Sequence, residues 1–226
     1  MLKRSHLSEK TCKEIIQLFA DDLTATQIAD ITGVSRVTIN NYLKLIRTHI
    51  SRHCEEKSLH HLNSDNPSFA GLPKQTAGDF EHHDGESLNT YYGFYKLNGN
   101  VFVDGLNNID KPGIYELQQA KMQHTGTGHR NGLCHLMKYH AIADFEAWRL
   151  YRIDTIANSM MHADEIAVFW GNAKGRLLKF RGLNKNTLYL LVKECEFRYN
   201  NRNDDINNIL LSIIYKHPLH LSKAYL

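Results

Sequence analysis

A chain of 226 residues, 42% of them apolar, is long enough to bury a substantial core in one large or two small domains. Its formal net charge of +3 is compatible with a nucleic-acid partner but too mild to demonstrate one, so the placement of charge has to decide. The four cysteines, Cys12, Cys54, Cys134 and Cys195, are far apart with no C-x-x-C pair, and the apolar runs 188–192 and 209–215 are too short for a membrane span; the expectation is a reduced, cytoplasmic protein without a secretory leader or a membrane partner.

The predicted elements begin at Ser8, an N-cap followed by an acidic first turn, with Ile15, Ile16, Leu18 and Phe19 on a helical stripe. A second stripe carries Ile28, Ala29 and Ile31 and stops at Gly33. Ser35 then caps a third helix carrying Val37, Ile39, Tyr42, Leu43 and Ile46. Ala29 falls where two crossing helices need a small side chain. Gly33, beyond it, can take the left-handed conformation, and Val34 and Ile39 fill the angle between the helices.

This spacing resembles the helix-turn-helix DNA-binding family. The resemblance implies that the start of the helix after the turn enters the major groove, so that Arg36, Thr38, Asn40, Asn41 and Lys44 face bases and phosphates. Arg47 and Arg52 extend the basic face. A module this small reads a short half-site weakly, so self-association or a second DNA contact is expected.

Residues 54–86 turn polar, and Asn63, Asn66, Pro67, Gly71, Pro73 and Gly78 break any periodic pattern, which predicts a linker. The histidine pairs His60/His61 and His82/His83 in this stretch lack the spacing of a zinc site. Regular structure resumes with two alternating runs around Asn98-Gly99, a strong hairpin signal. Next the pattern predicts a helix over 113–122, a loop over 124–132 and a buried segment, strand-like, over 133–143 that ends at Asp144.

An amphipathic basic helix follows, with Ile166, Phe169, Trp170, Ala173, Leu177 and Phe180 on one stripe and Lys174, Arg176, Lys179 and Arg181 on the others; Lys174 and Arg176 are expected to contact DNA. After Gly182, Asn186 can cap a further helix that buries Leu188, Leu191, Val192 and Cys195 and ends in Arg198 and Arg202. No Gly-rich phosphate loop or nucleophile motif points to a small-molecule ligand.

Two strings in this half resemble the small bacterial insertion-sequence transposases of family fifteen-ninety-five, the ISXO-two-like group. FWGNAKGRLLKFRGL, residues 169–183, is similar to the family's F-W-x-x-A-K-x-R-L-x-K-F-x-G motif, and KECEFRYNNRN, residues 193–203, to its closing segment. The opening LSEKTCKEIIQLFADDLTATQIADITGVSRVTINNYLKLIR resembles the family's helix-turn-helix, and YYGFYKLNGNVFV its second and third strands. The resemblance implies an α/β chain: an all-α helix-turn-helix domain over 1–53, the linker over 54–86, and an RNase H-like mixed sheet flanked by helices over 87–226.

It also implies a DDE-class transposase, in which three carboxylates hold two divalent ions, Mg2+ or Mn2+, that clamp a phosphodiester for strand cleavage and transfer. Carried over residue by residue, the three positions are Asp84, ahead of Tyr91-Tyr92-Gly93; Asp144, followed by W-R-x-Y at 148–151; and Glu165. The family reads I-E-x-F-W where this chain reads Ile166-Ala167-Val168-Phe169-Trp170, so Ala167 stands in place of the Glu. Glu165 is two residues earlier, about 200° around an intact helix. The implied partners are the double-stranded terminal repeats of an element and a second copy of the chain. The alternative is a catalytically inactive, DNA-binding transposase remnant or repressor.

Overall fold

Ser8 accepts a hydrogen bond from the Thr11 N–H (3.1 Å), and α1 (Glu9–Ala20) starts there. Thr24 and Gln27 form a reciprocal capping box that opens α2 (Ala25–Thr32). Gly33 ends α2 in the left-handed conformation (φ 68°) and donates to the Ala29 carbonyl at 2.9 Å. Ser35 then accepts from the Thr38 N–H at 3.2 Å and begins α3 (Arg36–Asp65). Cys12, Ile15, Ile16 and Phe19 of α1, Ile28 of α2 and Ile39, Tyr42, Leu43, Ile46 and Ile50 of α3 are buried. Four members of the expected stripes are not: Leu18 and Ala29 are half-buried, Ile31 is 55% exposed and Val37 is 72% exposed.

The computed structural model describes residues 7–65, 91–106, 109, 111–122, 136, 138–153, 164–180 and 185–216. The polar stretch expected as linker from residue 54 opens as helix, since α3 runs on to Asp65. Cys54 and Ser58 are buried on it, and no helix breaker occurs before Pro67. The remainder of that stretch, with Asp84, is outside the described residues, as is the predicted loop over 124–132.

The sheet begins with the expected hairpin, β1 (Tyr91–Leu97) and β2 (Asn100–Gly105), joined at Asn98 and Gly99, whose φ angles of 50° and 76° are those of a two-residue turn with both centres left-handed. Helix α4 (Lys111–Met122) follows, then β3 (Ala141–Asp144) and β4 (Arg149–Arg152). Among the described residues the strand order is β2-β1-β3-β4 and the three pairings are antiparallel; the parallel pairing that a mixed sheet requires is not among them. Gly93 of β1 lies under the Tyr139 ring so closely that a Cβ would come within 2.5 Å of it.

Alternation along the strands gives the sheet two apolar faces. Tyr92, Phe94, Val101, Val103, Ala141 and Ala143 pack against α5 (Glu165–Leu177) and α6 (Lys185–Asn200). Tyr95, Phe102, Ile142 and Tyr151 pack on the other side with Ile114 and Leu117 of α4. The stripe expected on α5 is in place: Ile166, Phe169, Ala173 and Leu177 are buried and Trp170 packs beside them, whereas Phe180, past the helix end, is 38% exposed. Helix α6 starts at Lys185, so Asn186 falls inside it and not at its cap.

A last helix, α7 (Ile206–Lys216), buries Leu210, Ile213 and Ile214 and packs on α1. The chain accordingly divides into two units, residues 1–56 with 201–226, and residues 57–200. The C-terminal helix thereby joins the N-terminal helices, although the expected second domain ran on to residue 226. Its apolar run, 209–215, is the surface that α1 requires of a partner. Among the described residues no helix is long and apolar enough to cross a membrane.

Candidate functional site

The outward face of α3 is set by where its core face is. At about 100° per residue, Ile39, Tyr42, Leu43, Ile46 and Ile50 form one buried stripe, and Arg36, Val37, Asn40 and Lys44 fall within an arc of about 100° on the other side. All four are exposed. Asn41 is half-buried at the edge of that arc. Thr38, also half-buried, is about 200° from Arg36, and its hydroxyl pairs with that of Ser35 at 2.9 Å. It therefore serves the start of the helix, whereas the sequence pattern had set it among the outward residues.

Charge on this face is of one sign. Between Ser35 and Glu55 the chain carries Arg36, Lys44, Arg47 and Arg52 and no carboxylate. Arg47 lies over the Phe19 ring, its guanidinium carbon 5.6 Å from the centroid, which ties α3 to α1 by a cation–π contact. Arg52 and Lys216 also line a cleft of about 470 Å3 in the same unit, together with His49, His53 and Glu56.

The two basic residues expected to touch DNA from α5 have other partners. Arg176 pairs with Glu194 at 2.7 Å, and Glu194, wholly buried, also accepts from Arg198 at 2.9 Å. Lys174 donates to the Trp148 carbonyl at 3.2 Å and lies 6.0 Å from the Trp170 ring centroid. Both side chains hold the second unit together around α6 and the aromatic cluster of Phe145, Trp148 and Trp170.

The expected carboxylates are placed as follows. Asp144 ends β3, is 2% exposed, and its Oδ1 accepts from the Glu146 and Ala147 N–H groups, both at 2.9 Å. That pattern is an Asx turn, which accounts for one oxygen by local backbone alone. Glu165 is the first residue of α5, pairs at 3.7 Å with Lys96, and is part exposed. Its neighbour Asp164 caps α5 and pairs with Arg152 at 2.9 Å. Ala167 is exposed on α5. Among the described residues no three His, Cys, Asp or Glu side chains converge to hold a metal ion. Asp84, the remaining expected carboxylate, lies outside the described residues.

A polar network that the sequence pattern did not reveal lies along β2. Asp104 accepts from Lys138 at 2.6 Å and from the Tyr139 hydroxyl at 2.9 Å. Burial pushes its carboxyl up, but Lys138 and Lys193, with those hydrogen bonds, outweigh burial and hold it below the usual value. Lys193 and Glu196, both buried, pair at 2.8 Å, and burial holds the Glu196 carboxyl above its usual value against the pull of Lys193. Tyr95 and Tyr139 are raised as well, chiefly by burial. Nothing in the spacing of lysine and glutamate three apart on α6 indicates the buried strand they face.

Compared with known proteins, the chain is 35% identical over 60 residues, 26% of its length, to an uncharacterized transposase-like protein of Haemophilus influenzae. The match spans 49% of that relative, so the chain covers about half of it. No family model and no solved structure matches the chain. The similarity is to a transposase-like protein, without a finer family.

Proposed function

We propose that the chain is a transposase-related DNA-binding protein that recognises the terminal repeats of a mobile element through a helix-turn-helix formed by α2, Gly33–Ser35 and α3. The observation that carries this reading is the outward arc of α3, which follows a left-handed glycine turn and bears Arg36, Asn40 and Lys44 with no carboxylate before Glu55. Arginine reads guanine and asparagine reads adenine in the major groove, and lysine neutralises phosphate. The name of the partial relative in Haemophilus influenzae supports a transposition context. Incubating the full chain with duplexes from the DNA flanking its own gene, at several salt concentrations, tests it. Retention that is sequence-selective and falls steeply with salt is expected, and the loss of both in Arg36→Ala with Lys44→Ala. Equal, weak retention of every duplex by the unaltered chain would overturn it.

A second reading adds metal-dependent strand cleavage and transfer in an RNase H-like domain. The burial of Asp144 at the end of a central strand favours it; Ala167, where the resemblance implies a Glu, favours binding without cutting. Adding Mg2+ or Mn2+ to the same duplexes separates the two. Nicking abolished in Asp144→Ala supports the second reading, and selective binding with no nicking supports the remnant or repressor.

A further inference from the structure

The second residue of α3 is an aliphatic side chain where a soluble helix would ordinarily carry a polar one. Val37 is 72% exposed, more than any other large apolar residue recorded as exposed among the described residues. It stands at one end of the arc that runs from Arg36 through Asn40 and Lys44, about 20° beyond Lys44, and no carboxylate precedes Glu55 on α3. Thr38, the neighbouring residue with a methyl group, is turned away and bonded to Ser35. Val37 therefore presents two methyl groups at the edge of a cationic surface, beside Lys44 and Asn40. A membrane or protein partner that sought an apolar contact would need a wider patch than one side chain. A nucleic-acid groove requires no more, because one of its four bases, thymine, displays a single methyl group there.

We propose that Val37 is a specificity-determining residue that selects thymine, by packing on its 5-methyl group, at one position of the DNA site, next to the bases or phosphates met by Asn40 and Lys44. This rests on the helix-turn-helix reading above and assigns it a base. The contact is apolar and leaves hydrogen bonding untouched, so it makes a prediction that ordinary base substitution cannot isolate. Replacing thymine by uracil removes the methyl group and keeps every donor and acceptor.

The experiment uses the full chain and the tightest duplex recovered by selection from a randomised pool. Each thymine of that duplex is replaced in turn by uracil, and affinity is measured for the unaltered chain, Val37→Ala and Val37→Thr. The unaltered chain is expected to lose roughly fourfold in affinity at one thymine, the effect of uncovering about one methylene-sized group, and little elsewhere. Val37→Ala should bind the thymine duplex correspondingly less well and be indifferent to uracil at that position. Val37→Thr, which keeps one methyl group, should retain part of the discrimination. Since the side chain is exposed, circular dichroism should show all three proteins equally folded. Uracil tolerated at every thymine by a chain that still binds selectively would overturn the proposal and leave the helix-turn-helix reading intact. So would discrimination that survives in Val37→Ala, or a Val37→Ala effect confined to self-association in sedimentation. Absence of any selective duplex would overturn both.

Discussion

Glu194 is a carboxylate with no exposed surface, and two arginines, Arg176 and Arg198, reach it from different helices. A buried charge is tolerable only while its partners remain, so the role of Arg176 can be read from what fails when it is removed. In Arg176→Met the Glu194 carboxylate keeps Arg198 and loses one charge-assisted hydrogen bond, which is expected to destabilise the fold by about 1.5–3 kcal/mol. Urea unfolding measures this. A DNA-contacting arginine would instead leave the unfolding midpoint unchanged and lower both affinity and salt slope. The same residue-level logic applies to pH at Asp104. Its carboxyl is held below the usual value, so the unfolded chain binds the extra proton first, and the stability it contributes at neutral pH is lost as pH falls through its folded value. Glu196 acts in the opposite sense, because its raised carboxyl favours the folded state most when protonated, and that advantage is lost as pH rises. Asp104→Asn should therefore be less stable at pH 7 and show a shallower loss of stability on acidification below about pH 4, measured by thermal unfolding across pH.

Helix α6 explains how a sheet edge can be closed without another strand. The outward backbone groups of β2 would otherwise be open to pairing with another chain. Instead the Asn200 side-chain amide accepts from the Val101 N–H at 2.9 Å and donates to the Val101 carbonyl at 2.8 Å, as a strand neighbour would. Glu196 accepts from the Val103 N–H at 3.2 Å, and Lys193 donates to the Val103 carbonyl. Residues 193, 196 and 200 form one stripe of the helix, so this stretch of α6 has a structural use of its own. Asn200→Ala leaves both Val101 groups without these bonds and is expected to destabilise the chain by about 1–3 kcal/mol. Amide exchange should rise at Val101 and Val103 before the rest of β2, and self-association should increase with concentration. Much of the element structure was legible in the sequence: the Ser8 and Ser35 starts, the Gly33 stop, the Asn98-Gly99 hairpin and the apolar stripe of α5 are local signals that tertiary contacts did not override. Helix α6 was legible only as a helix. Its buried charges have strand backbone as partners about 90 to 100 residues away, and periodicity carries no record of such contacts. The outward arc of α3 was also legible apart from Val37 and Thr38. Both were misassigned because apolar type suggested core and polar type suggested surface, whereas the angle around the helix decides.

At the level of the whole chain, the division into residues 1–56 with 201–226 and residues 57–200 means that the proposed DNA reader is not a contiguous N-terminal piece. Sequence alone closes the reader near residue 53, because polar composition takes over there, but composition cannot tell which surface a distant apolar helix will cover. Helix α7 supplies Leu210, Ile213 and Ile214 to that unit and packs on α1. Fully burying three such side chains is worth roughly 1.5–3 kcal/mol each, a large share of the 5–15 kcal/mol that typically separates folded from unfolded domains. A chain cut after Glu56 should therefore lose much of its helical signal at 25 °C and bind the selected duplex far more weakly than the full chain. Leu210→Ala in the full chain is the graded form of the same test. Its cavity should lower stability by about 2–5 kcal/mol, and selective DNA binding should disappear at a correspondingly lower temperature although no DNA-facing residue has changed. If the fragment ending at Glu56 instead folds and binds as tightly as the full chain, α7 contributes nothing to the reader, and its packing on α1 serves only to hold the C-terminal segment in place.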